Sequence, residues 1–232
     1  MARGDTILIN NANTDYHAHQ EGIFNPDYAR KVIVIGAGSV GSHVVYMLTK
    51  MGVGDIEVWD DDTVASHNIP MSIYGPGDVG QYKVDALKSL ITQLTGVELT
   101  VVRNKYDGEN LSGYAVVIMC VDTMSARKQI WERVKLCPTV DLLCDTRTAV
   151  TYLEVLSVSP CDTEDIERYE ALLFPDDRAA RQACGRHGIV YVAARAAQIV
   201  AVNVALFWQE GRAEWRIAEQ CSTLDLVFGP TK

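Results

Sequence analysis

Residues 32–60 read VIVIGAGSVGSHVVYMLTKMGVGDIEVWD, and this stretch decides the fold. An apolar strand runs into a glycine turn that opens a helix, and a second apolar strand then ends in an acid. That order places a nucleotide site at the carboxyl end of a parallel sheet. Gly36 permits the tight turn, Gly38 lets the backbone approach a phosphate, and Gly41 lets the helix pack against the strand. Free N–H groups at the helix start attract an anion, and Asp60 stands where a ribose hydroxyl is gripped. The glycines alone establish a nucleotide but not which one, and NAD-dependent dehydrogenases are the commonest owners of the pattern.

Residues 60–87, DDDTVASHNIPMSIYGPGDVGQYKVDAL, carry polar groups that a dehydrogenase does not need. With Asp60 on the ribose, the amide of Asn68 and the ammonium of Lys83 can reach a polyphosphate, lysine acting as a compact charge on a flexible stem. Singly, Asp61 and Asp62 read equally well as solvated loop acids and Lys83 as an exposed helix lysine. Their ordered series favours a triphosphate, which needs more cation than a dinucleotide.

At this point the chain resembles the ThiF/MoeB/HesA family, bacterial relatives of ubiquitin-activating enzymes, over residues 25–210. Three elements carry the likeness: Gly36–Gly41; Asp60, Asp62 and Val64 with Asn68; and Gly80-Gln81-Tyr82-Lys83. A fourth is the apolar run Ala115–Met119 followed by Cys120-Val121-Asp122 and Thr123–Arg127. The resemblance implies adenylation by ATP of a carboxylate, most often the C-terminal Gly-Gly of a small ubiquitin-like or sulfur-carrier protein, in a homodimer. It makes Asp122 the carboxylate for Mg²⁺, an ion that bridges one or two carboxylates and substrate phosphates. Aspartate before a helix is also a good N-cap, so that role stays open for Asp122. On this reading Lys83, Asn68 and Asp122 promote the reaction, and Gly36, Gly38, Gly41, Asp60, Asp62 and Lys83 hold the nucleotide.

The chain also departs from the family. Met71 stands where an arginine is common, and HAHQEGIFNPDYARKV offers only Arg30 and Lys31 in place of an arginine-rich segment. One arginine aimed at a transferring phosphoryl group is worth about a thousandfold in rate. Arg103, Arg147 and Arg195 are the candidate substitutes, and a non-catalytic, partner-binding member of the family stays open.

Six cysteines stand without a CxxC pair, at 120, 137, 144, 161, 184 and 221. A zinc site would have to combine Cys161, Cys184, His187 and Cys221. Structural zinc is not expected, since free cysteine usually packs as a small buried hydrophobe. The resemblance makes Cys184 the candidate transfer thiol, since some relatives place one in this region; a reactive thiolate needs nearby cations, and Arg186 and His187 are the nearest in sequence.

At 232 residues and 48% apolar the chain can bury a large core. Its net charge of −9 argues against a nucleic-acid surface. The polar start and unpaired cysteines predict a cytoplasmic protein. Ile189–Trp208 is the most apolar stretch, yet Arg195, Gln198 and Asn203 interrupt it, so a buried or dimer-forming helix is expected rather than a membrane span.

The remaining pattern alternates strand and helix and predicts an α/β, Rossmann-like doubly wound fold, with a mostly parallel sheet and helices on both faces. Strands are expected near 32–36, 55–60, 97–103, 115–120 and 139–144, with a further alternating strand over Thr151–Val158. A helix over 81–94 should turn Val84, Leu87, Ile91 and Leu94 inward. Residues 1–24 read as an arm and 25–232 as one adenylation domain, with a partner-facing crossover loop near 160–188. Within that loop Thr163–Leu173 also reads as an ordinary acidic helix. In the tail, Leu224–Phe228 is a strand candidate.

Overall fold

The computed structural model describes residues 17–175 and 188–222. The four-residue apolar run Val32–Ile35 becomes β1, the third strand of a seven-stranded sheet. Around it stand β2 (Ile56–Trp59), β3 (Thr100–Val102), β4 (Val116–Met119), β5 (Leu142–Ala149), β6 (Tyr152–Val158) and β7 (Arg216–Gln220), in the order β3-β2-β1-β4-β5-β6-β7. The first five strands are parallel, β6 runs antiparallel to β5, and β7 antiparallel to β6. Strand order reverses between β2-β1 and β4, where an open α/β sheet makes its ligand crevice.

Alternate residues of these strands feed two separate cores. Val32, Val34, Ile118 and Cys144 face α1 (Ser39–Lys50), α2 (Lys83–Thr95) and the long C-terminal helix. Ile33, Ile35, Val117, Met119 and Leu143 face α3 (Met124–Val134) and α4 (Thr163–Glu170). A sheet covered on both faces explains why β1 and β4 are apolar at every position.

That long helix is α5, Val190–Glu210. It packs against α1 and across β5 and β6, with its polar interruptions satisfied. Asn203, fully buried, donates to Ser157 Oγ (2.7 Å) and Glu214 O (3.2 Å) and accepts from Glu214 N (3.2 Å). Arg195 pairs at the surface with Glu219.

Several expected boundaries move. In α2 the inward stripe is Val84, Leu87 and Ile91, but Leu94 is exposed and Thr95 takes the next inward place. Thr95 falls closer to the stripe's centre at about 100° per residue. β5 runs to Ala149 rather than ending at 144, because Asp145 and Arg147 are paired inside the fold. β7 falls at Arg216–Gln220, ahead of the Leu224–Phe228 candidate, which lies outside the described residues. The described end of the arm is docked: Phe24 is buried and stacks on Trp208, and Gln20 donates to Met51 O (2.8 Å).

Candidate functional site

The crevice at the strand-order reversal is a cavity of about 590 Å³. Gly36, Gly38, Asp60, Asp62, Asn68, Lys83 and Asp122 all line it, so the residues singled out from four separate sequence elements meet in one place. Gly41 lies beneath rather than in it. A Cβ there would stand 1.9 Å from Gly36 O, and one on Gly36, whose φ is +100°, would stand 2.4 Å from Cys120 O. A Cβ on Gly38 would meet nothing within 4 Å, which leaves that stretch of backbone open to a ligand.

Two bonds fix the glycine turn on the sheet: Gly36 N donates to Trp59 O (2.8 Å) and Cys120 N to Ile35 O (2.8 Å). From the side, the buried Tyr74 hydroxyl reaches Ala37 O (2.6 Å) and Lys83 O (3.2 Å). Burial, Asp60 and Asp78 push the Tyr74 hydroxyl far above its ordinary range, so it stays a donor.

Asp60 follows the end of β2 and accepts from the N–H groups of Ala37 (2.7 Å) and Asp62 (2.9 Å). Burial pushes its carboxyl above the ordinary aspartate range, against the pull of Lys83 and of those two N–H groups. Each carboxylate oxygen keeps a second acceptor site, so these bonds leave room for a ribose hydroxyl. Lys83 opens α2 in a buried position. It reaches Asp60 because Lys83 N donates to Asp62 O (2.9 Å) and Thr63 bridges Tyr82, fastening the two loops together. Its ammonium lies 2.6 Å from Asp62 and 3.6 Å from Asp60. Asn68 spends its carboxamide oxygen on Ala65 N (2.9 Å), leaving its N–H groups as what it can offer a phosphate.

Asp122 is exposed in the cavity wall. The cap of α3 is Thr123, whose hydroxyl accepts from Ala126 N (3.3 Å), so Asp122 is not the cap. An uncommitted carboxylate at a strand's carboxyl end suits a hard divalent cation. Among the described residues, Asp60, Asp61 and Asp62 form the one group of three possible metal ligands. Asp60 and Asp62 in that group already serve Lys83.

None of the three proposed substitute arginines lines the cavity. Arg103 pairs with Asp85 (2.8 Å) over the Tyr82 ring, Arg195 with Glu219 (2.9 Å), and Arg147 with Asp145 (2.9 Å). Among the described residues the lining cations are Lys83, Lys105 and Arg127. Arg127 escaped the sequence reading as a site residue because its partner, Asp145, is 18 positions away on another strand. Met71 lines the cavity where the family arginine was sought, closing on Gly188.

Cys120 is at the cavity floor, and burial pushes its thiol up to about 12, so it remains protonated and unreactive. Cys184, Arg186 and His187 lie outside the described residues. The four-residue zinc grouping needs correction. Cys221 N donates to Thr151 O at the start of β6, whereas Cys161 follows the end of that strand. A seven-residue strand separates them, about 20 Å at some 3.3 Å per residue. They cannot share an ion.

Comparison with known proteins agrees with this geometry. The ThiF family model matches residues 25–228. The sulfur carrier protein ThiS adenylyltransferase of Escherichia coli is 26% identical over 167 residues, covering 69% of this chain and 64% of the relative. The molybdopterin-synthase adenylyltransferase of Salmonella typhimurium is 27% identical over 106 residues, covering 43% of each. The chain thus spans between two fifths and two thirds of these relatives' length. In fold it is similar to E. coli MccB solved with AMPCPP and MccA, with a TM-score of 0.70 at 16% identity over 97% of this chain and 72% of that one. PaaA gives the same TM-score at 14% identity, over 95% and 78%. A family model spanning nearly all of the chain, on a cavity built from that family's motifs, makes this protein a member of the ThiF family.

Proposed function

We propose that the chain uses ATP to adenylate the C-terminal carboxylate of a small ubiquitin-like or sulfur-carrier protein ending in Gly-Gly. The observation that carries this reading is the convergence of Gly38, Asp60, Asn68, Lys83 and Asp122 on one cavity. The names of the adenylyltransferase relatives support it. The carboxylate attacks the α-phosphorus of ATP, an acyl-adenylate forms, and pyrophosphate leaves. A carboxylate is a weak nucleophile, so the protein's contribution is placement and neutralisation of phosphate charge. The Gly36–Ser39 backbone and the start of α1 receive phosphate oxygens, Asp60 accepts from the ribose, and Lys83 and Asn68 donate to the phosphates. Asp122 would hold Mg²⁺, which when bound neutralises the pyrophosphate leaving group. A homodimer follows from the family resemblance, and five free cysteines among the described residues support a reducing, cytoplasmic setting.

Exchange of labelled pyrophosphate into ATP tests the proposal. It should require a co-encoded Gly-Gly protein, and Lys83→Ala should reduce it by about a hundredfold, while Asp60→Ala should mainly weaken ATP binding. Unchanged exchange in both variants would overturn the assignment. Met71 in the wall favours a second reading, a member that binds nucleotide and partner with exchange too slow to detect. Under it Met71→Arg raises exchange above background.

A further inference from the structure

Beside the cavity, on the α3–α4 side of the sheet, lies a buried charge network that no sequence motif announced. Asp145, fully buried on β5, accepts from Arg127 Nη1 (2.9 Å), Arg147 Nε (2.9 Å) and the Tyr169 hydroxyl (3.1 Å). Arg127 spends its other terminal nitrogen on two backbone carbonyls, Val121 (2.5 Å) and Thr146 (3.0 Å). Val121 immediately precedes Asp122. Thr146 Oγ1 donates to Met119 O (2.9 Å), so the chain from the end of β4 into the Asp122 turn is held by side chains of β5 and α3. The exposed Asp122 carboxylate inherits its position from these bonds.

The same acid reaches α4. The Tyr169 ring packs edge-on against Trp131 at 4.8 Å while its hydroxyl bonds Asp145, and Arg147 Nη1 donates to Leu172 O (3.3 Å) just past the helix. Asp145 is thus bonded at once to the arginine that fixes the Asp122 turn and to the helix docked behind it. Charge-assisted bonds of this kind are short and directional. A buried acid with three donors exerts a positioning force that an exposed pair does not.

We propose that Asp145 is a positioning residue of the adenylation site: through Arg127 it sets the Val121–Asp122 turn, and through Tyr169 it couples that turn to α4. The inference rests on the reading of Asp122 as the metal carboxylate. Partners that orient a metal ligand typically matter about ten- to a hundredfold in affinity or activity.

The test uses Asp145→Asn, which keeps the shape and removes the charge, and Tyr169→Phe, which keeps the ring against Trp131 and removes only the hydroxyl. Two quantities are read: kcat and KM in ATP–pyrophosphate exchange, and Mn²⁺ affinity, by electron paramagnetic resonance, in the presence of a non-hydrolysable ATP analogue. Asp145→Asn should lower kcat and Mn²⁺ affinity by about tenfold or more, with the KM for ATP nearly unchanged. Tyr169→Phe should act in the same direction and less. Arg127→Gln combined with Asp145→Asn should be no worse in kcat than the worse single variant, as members of one relay are not additive. Folded variants that match the parent in kcat and Mn²⁺ affinity, or whose effects simply add, overturn the relay. If Asp145→Asn does not fold, Tyr169→Phe decides by the same readouts. A parent without exchange for any co-encoded Gly-Gly protein overturns the proposed function instead, and the Mn²⁺ titration, which needs no carrier, then decides the relay. A parent that binds no Mn²⁺ with the nucleotide overturns it too.

Discussion

At the scale of single residues the three glycines divide their labour in a way that substitution can separate. Gly41→Ala drives a methyl to 1.9 Å from Gly36 O, a backbone atom that cannot yield, and Gly36→Ala meets Cys120 O at 2.4 Å in a left-handed conformation. Both should lose more than about 3 kcal/mol of stability in urea unfolding. Gly38→Ala has open space around its methyl, so it should unfold like the parent while ATP affinity drops about tenfold or more. Asp60 adds a dependence on acid. Burial raises its carboxyl in the folded chain, so the folded state holds that proton more tightly than the unfolded one. Its contribution to stability therefore falls as pH rises through the interval above the ordinary aspartate value, and Asp60→Asn should flatten that slope. On the proposed reading the ionised form accepts from the ribose of ATP, so a binding profile against pH should begin to weaken at a higher pH than an ordinary aspartate would give. Gly36, Gly38 and Asp60 were legible because each sits at a fixed offset inside one strand–turn–helix–strand unit, Lys83 from its place in the polar series after Asp60, and Asp122 through the family resemblance. Arg127 and Asp145 were not, since their pairing exists only once β4 and β5 lie side by side.

At the scale of elements, the parallel half of the sheet could be read from its apolar runs, and the antiparallel half only in part. Strand β6 shows the alternation of a strand, but β5 reads as ending at 144, where the polar residues Asp145, Thr146 and Arg147 begin. Their burial is made possible by mutual bonding, which periodicity does not encode. The two strands are joined through Val150 and Thr151, with Ala149 opposite Tyr152. Val150 has a φ of +52°, in a region that β-branched residues rarely enter, and it also bridges Gly188 at the cavity rim. A left-handed residue of this type costs about 1–2 kcal/mol. Val150→Gly should relieve most of that, and Val150→Asn part of it, raising the midpoint of thermal unfolding. If both variants melt below the parent, packing of the valine outweighs the strain.

At the scale of the whole molecule, the sheet separates two apolar cores, and the cavity lies at the carboxyl ends of the strands between them. The cavity is lined by β1, β2, α1, α2, α3 and the turn after β4, so occupancy should stabilise the chain globally. With ATP and Mg²⁺ at a hundred times the dissociation constant the gain is about 2.7 kcal/mol, a shift in melting temperature of roughly 5–10 °C for a chain this size. NAD at the same concentration should leave the melting temperature unchanged, and the reverse result would favour the oxidoreductase reading. The far rim of the sheet bears on a different property. Among the described residues β7 is the last strand of the sheet, and Arg216 and Glu219 on it are tied inward to Glu154 and Arg195. An open strand edge is a template on which foreign chains can polymerise, and charged side chains along it discourage that. Neutralising Arg216 and Glu219 should therefore make the folded chain more prone to join edge to edge, read as light scattering that grows with time.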